Sequence, residues 1–95
     1  MGDINPEQVE ILSRDVNAAV VRMPGRRYPG VALQGDSLKI LIDSVEDVLD
    51  CLRHSTDPER LDEAREELEL VLSTLGEYRA VFERVMQERG EPLPY

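Results

Sequence analysis

Ninety-five residues carry 20 acidic and 11 basic side chains, a formal net charge of −9, with 41% apolar residues, one cysteine and one histidine. A chain of this length makes one small domain, with too little interior for a large enclosed active site. So acidic a surface repels nucleic acid and either attracts a basic protein partner or, the commoner reason, simply serves solubility, and the lone Cys51 excludes a disulfide framework or a paired-cysteine metal site.

The charge is uneven. Residues 1–35 hold four acids and four arginines, which cancel, whereas residues 36–95 hold sixteen acids and seven bases and carry the whole −9. No run approaches the ~20 apolar residues of a membrane span, and no basic segment followed by an apolar one opens the chain, so a cytoplasmic location is expected.

In chain order, Asn5-Pro6-Glu7-Gln8 reads as a helix start, with a cap, a proline at the first position and a glutamine that can reach back. A short helix to about residue 13 is expected. A strand over residues 9–12 is the rival, since Val9 and Ile11 alternate with acids. Residues 14–17 read as a turn. Residues 18–23 (Ala-Ala-Val-Val-Arg-Met) read as a strand and 31–34 as its return. Between them, Pro24-Gly25 and Pro29-Gly30 force the chain to change direction. Two short strands are marginal alone, so a helix must cover one face.

Asp36 or Ser37 is positioned to cap the next helix. Leu38, Leu41, Ile42, Val45, Val48, Leu49 and Leu52 then recur at helical spacing to about residue 54. Asp57 as N-cap before Pro58, or a capping box from Thr56 to Glu59, starts a second helix after a short connection, which predicts antiparallel neighbours. That helix has the most regular pattern in the chain. Leu61, Leu68, Leu75 and Phe82 are seven apart, as are Ala64, Val71, Tyr78 and Val85, giving the a and d positions of four heptads. Gly76 interrupts it, but the heptad phase continues across, so one helix over about 57–89 is expected. Gly90, Pro92 and Pro94 end it before a loose tail. The shorter neighbours cannot cover so long a stripe: either the helix bends at Gly76 or a second chain packs on it.

Chemistry is sparse. Gly35-Asp36-Ser37-Leu38 spells a hydrolase nucleophile block, but no general base or oxyanion partner accompanies it. Asp43, Asp47 and Asp50 share a helical face without the carbonyl-rich loop that completes a cation shell, and Cys51 with His54 gives only two potential ligands. No metal and no cofactor is expected, and no enzyme. Glu59, Glu63 and Glu67, with Asp62 and Glu66, form an acidic face that suits either a basic partner or plain solvation. Arg22, Arg26, Arg27 and Tyr28 form the one basic-aromatic cluster, able to hold a partner or an anion, or to pair with the chain's own acids. Leu61, Leu68, Val71, Leu75, Tyr78, Phe82 and Val85 are the candidate self-association stripe.

The stretch Val20-Val21-Arg22-Met23-Pro24-Gly25-Arg26-Arg27-Tyr28-Pro29-Gly30-Val31-Ala32-Leu33-Gln34-Gly35-Asp36-Ser37-Leu38 resembles the signature of a family of small uncharacterised bacterial proteins. Its pattern is Val-Val-Arg-x-Pro-Gly-Arg-x-Phe/Tyr-Pro-Gly-x-x-x-Gln-Gly-Asp-Ser-Leu. The part from Tyr28 to Leu38, leading into an amphipathic helix, is also similar to the core of HicB-type antitoxins. That second resemblance implies binding and blocking of a small basic RNA-cleaving toxin.

The sequence therefore predicts an α+β protein: a short N-terminal helix and a two-stranded hairpin (1–35), an antiparallel pair of helices with the last one long (36–90), and a loose tail (91–95). The expected function is a small acidic non-catalytic protein-binding module, antitoxin- or immunity-like, that neutralises or regulates a basic partner. The alternatives are a homodimeric accessory subunit joined through the heptad helix, or an anion or nucleotide sensor using the basic loop. Neither a nucleic-acid nor a membrane partner is expected.

Overall fold

A computed structural model of the chain describes residues 9–13 and 18–95. Three strands, β1 (Glu10–Ser13), β2 (Ala18–Arg22) and β3 (Gly30–Leu33), precede two helices, α1 (Gly35–His54) and α2 (Pro58–Glu88). The architecture is α+β, with a three-stranded antiparallel sheet in the order β1-β2-β3. The contacts divide the chain into two units. One comprises residues 1–33 with 78–95, the other residues 34–77.

β2 is the central strand. Its Val20 faces Val31 of β3 on one side and Ser13 of β1 on the other, while Val21 pairs with Gly30 and Ile11. Leu12 is the extra residue of an irregularity in β1, where Ile11 pairs with Val21 and Ser13 with Val20. Residues 9–13 were expected to end a helix; the strand wins because an edge of β2 is open to pair with them, and backbone pairing outweighs a local helix signal. The rest of that expected helix and the 14–17 turn lie outside the described residues.

The β2–β3 connection begins with a tight turn. Arg26 N–H donates to the Met23 carbonyl at 3.2 Å, and Gly25 takes a positive φ of 73° behind Pro24. That is the proline-glycine pairing a type II turn requires.

Within this unit one face of the sheet is covered by the last turns of α2. Val20, Val81, Phe82, Val85 and Met86 form a buried cluster, with Leu12 packed at its edge. Positions 81, 82, 85 and 86 recur at helical spacing, so one stripe of α2 supplies the helical cover that the strands need.

α2 ends as a Schellman motif. Glu91 N–H donates to the Met86 carbonyl at 2.9 Å and Gly90 N–H to that of Gln87 at 3.1 Å, with Gly90 at φ 68°. The tail, expected to be loose, carries side-chain contacts: Glu91 accepts from Arg22 at 2.8 Å, and the Tyr95 hydroxyl donates to Glu83 at 3.1 Å.

The second unit is a helical hairpin of α1 and the first half of α2, joined by three residues. α1 begins two to three residues earlier than the Asp36 or Ser37 caps predict. Gln34 holds the cap position without a side-chain bond, and Asp36 instead sits in the first turn, where its carboxylate accepts from the Ser37 N–H at 2.8 Å. An acid inside the first turn meets the free amides and the positive end of the helix dipole without being the cap itself. Asp57 caps α2, accepting from the Glu59 N–H at 3.1 Å, with Pro58 at the first helical position. α2 runs unbroken through Gly76.

Candidate functional site

Two helical stripes hold the hairpin together. On α1, Leu41, Val48 and Cys51 are half-buried or buried, and on α2 Ala64 and Val71 are buried. The Cys51 thiol donates to the Arg60 carbonyl at 3.3 Å, tying the end of α1 to the start of α2.

The apolar stripe of α1 is wider than its buried part. Leu38, Ile42, Val45, Leu49 and Leu52 remain between 37% and 57% exposed. They repeat the 4-3-4-3 spacing of a heptad seam, one residue on from the buried stripe at 41, 44, 48 and 51. On α2 the same displacement occurs. Leu68, Leu72 and Leu75 stay exposed, one residue on from 67, 71 and 74. A step of one residue turns about 100° around a helix axis. For two antiparallel helices, equal rotation in the same sense from the shared contact brings both seams to the same side. The hairpin thus presents a two-helix apolar face.

Its other side is acidic. Asp47 and Asp50 of α1 and Asp57, Glu59, Glu63 and Glu67 line a shallow groove of about 510 Å³, with Ala64, Cys51 and His54 in its wall and Arg60, among the described residues, the one arginine lining it. His54 Nδ1 lies 3.0 Å from the Asp50 carboxylate. All of the net charge belongs to this unit: residues 34–77 hold thirteen acids against four bases, and the remaining residues cancel.

Of the expected acidic face, Glu59, Glu63 and Glu67 converge on the groove. Asp62 lies elsewhere and pairs with Arg65 at 3.3 Å, and Glu66 is exposed outside the groove lining. Asp47 and Asp50 complete the groove from α1. Their i, i+3 spacing was visible in the sequence, but not that α2 would bring three glutamates opposite them.

The basic cluster is divided. Arg22 is half-buried and committed within the fold: Nη2 meets Glu91 at 2.8 Å, Nε lies 3.8 Å from Glu10, and Nη1 donates to the Arg27 carbonyl at 3.0 Å. Glu91 also receives Arg89 at 3.5 Å. Arg27 lies 5.3 Å from the Tyr28 ring centroid, a cation–π distance. Arg22, Arg27 and Tyr28 line a small concavity of about 250 Å³ with Met86, Glu91 and Pro92, whereas Arg26 sits exposed on the turn and does not join them.

The expected self-association stripe is likewise divided. Phe82 and Val85 are 7% and 3% exposed, built into the core under the sheet, and Val71 is buried inside the hairpin. These three cannot serve an outside surface, because the chain's own packing already occupies them. Tyr78 and Leu61 are half-buried, and Leu68 and Leu75, each 46% exposed, remain open. Among the described residues, no three histidines, cysteines or carboxylates cluster as a metal would require, and no helix is long and apolar enough to cross a membrane.

The fold and these two faces define a small α+β protein with an acidic, half-covered helical hairpin. The chain belongs to a family of unknown function, DUF6959, whose model matches residues 4–95. Neither a curated protein nor a solved structure matches it.

Proposed function

We propose that the protein is a non-catalytic, cytoplasmic protein-binding module whose helical hairpin engages a basic partner, in the manner of an antitoxin or immunity protein. The observation that carries this reading is the confinement of the whole −9 charge to residues 34–77, with carboxylates from both helices converging on one open groove. Carboxylates held on two rigid helices form a field that steers a cationic surface toward them. Arg22 does not contribute, since its charge is matched by Glu91 and Glu10.

The test is affinity capture of tagged protein from its native host, wild type beside Glu63→Lys/Glu67→Lys. Glu63 is exposed and Glu67 half-buried at the groove, so the helical content of the double variant is checked by circular dichroism beside the wild type. The reading expects one stoichiometric basic protein on the wild type and its loss from the variant. Absence of any such partner, or equal capture by both, sinks it.

A further inference from the structure

The apolar face of the hairpin lies on the side away from the acidic groove and is independent of the reading above. We propose that it is the interface of a homodimer, in which a second copy of this chain packs its α1 and first half of α2 against the same face.

Three observations select a second copy as the occupant. First, the α1 seam consists of aliphatic residues at heptad spacing, and the α2 seam repeats the pattern. Surfaces of that kind are closed by helices with the same repeat, and a two-fold axis supplies two of them at once. The result is a four-helix arrangement, in which two half-covered hairpins complete one core.

Second, the extent fits. Leu49 is 42% exposed, Leu52 57%, Leu68 46% and Leu72 69%. With Leu38, Ile42, Val45 and Leu75, each at least 37% exposed, eight aliphatic side chains of the two helices stand open to solvent, where singly scattered ones would need no explanation.

Third, the rim of this face carries both signs. Lys39 and Arg53 directly follow the seam residues Leu38 and Leu52, and Arg65 lies one turn from Leu61 and Leu68. These are three of the four bases in residues 34–77, and they are interspersed with Asp43, Glu46 and Glu69, which also directly follow seam residues. A mixed rim complements its own copy under two-fold symmetry. A purely acidic one, such as the groove side, would repel it.

The two faces also differ in how salt acts on them. The dimer brings two −9 chains together through apolar contact, so screening strengthens it, whereas a groove bound to a cationic partner is weakened by the same ions.

Light scattering on the full chain decides the matter. The wild type is expected at about twice the 10.8 kDa chain mass, with the dimer fraction rising as salt is raised. Leu49→Glu/Leu68→Glu is expected at the single-chain mass with helical circular dichroism retained, because neither side chain is buried within the chain. Leu70→Glu, at a 70% exposed position off the seam, is expected to remain dimeric, and it separates loss of the face from a general effect of added charge. A wild type that stays at single-chain mass up to roughly 100 μM, where even a micromolar interface would be filled, overturns the proposal. So does a dimer that survives the seam substitutions, or one that forms only when a basic protein is added.

Discussion

At the scale of single residues, the unit around the sheet depends on a few positions that cannot be exchanged freely. Met86 is 1% exposed and shares a buried cluster with Val20, the most buried of the described sheet residues. Met86→Ala removes the centre of that cluster and is expected to cost about 2–4 kcal/mol in denaturant unfolding. An effect below the scatter of such a measurement would show that the helix does not seal the sheet. Tyr95 reports on the tail. Its hydroxyl titrates above the ordinary tyrosine value, through desolvation first and then through the hydrogen bond to Glu83 and that residue's charge, with Arg79 acting in the opposite sense. A raised value means that the contact is fully present below pH ~10 and is lost as the pH rises through the folded value. Glu83→Gln should therefore shift one of the three tyrosines to earlier ionisation in an ultraviolet titration. Unchanged titration curves would place Tyr95 away from Glu83.

At the scale of elements, two glycines on α2 have opposite roles. Gly90 sits at φ 68° and closes the helix, whereas Gly76 lies inside it with open space where a Cβ would project. Gly90→Ala is expected to destabilise by about 1 kcal/mol and Gly76→Ala to stabilise by about 0.5–1 kcal/mol, read as opposite shifts in melting temperature. Equal signs would contradict the continuous helix. That continuity was legible, because the heptad phase crosses Gly76 unchanged. β2, β3, α1 and the Asp57 cap were legible for similarly local reasons: β-branched content, paired Pro-Gly turns and apolar periodicity. β1 was legible only as the rival to a helix. Asn5-Pro6-Glu7-Gln8 carries helix-start chemistry that competes with the alternation of Val9 and Ile11, and pairing with the open edge of β2 decides for the strand. Periodicity does not reveal what covers a stripe. The 61–85 heptads look uniform in sequence, yet Phe82 and Val85 fill the core beneath the sheet, while Leu68 and Leu75 face outward on the hairpin.

At the scale of the whole molecule, the chain divides its labour by charge. The residues around the sheet are electrically balanced, with Arg22 and Glu91 as the internal pair, and residues 34–77 carry the entire −9. The imbalance was legible in the sequence, since a count by halves finds it. The groove was not, because Asp47 and Asp50 meet Glu59, Glu63 and Glu67 only once the two helices fold against each other. The central claim is that this acidic groove binds a basic protein. Its most direct test is the salt dependence of the captured complex, measured with wild type and with Arg26→Glu/Arg27→Glu between about 50 and 500 mM salt. The account predicts affinity that falls steeply across that range and is unaffected by the loop substitutions. Affinity indifferent to salt, or lost with the two arginines, would contradict it.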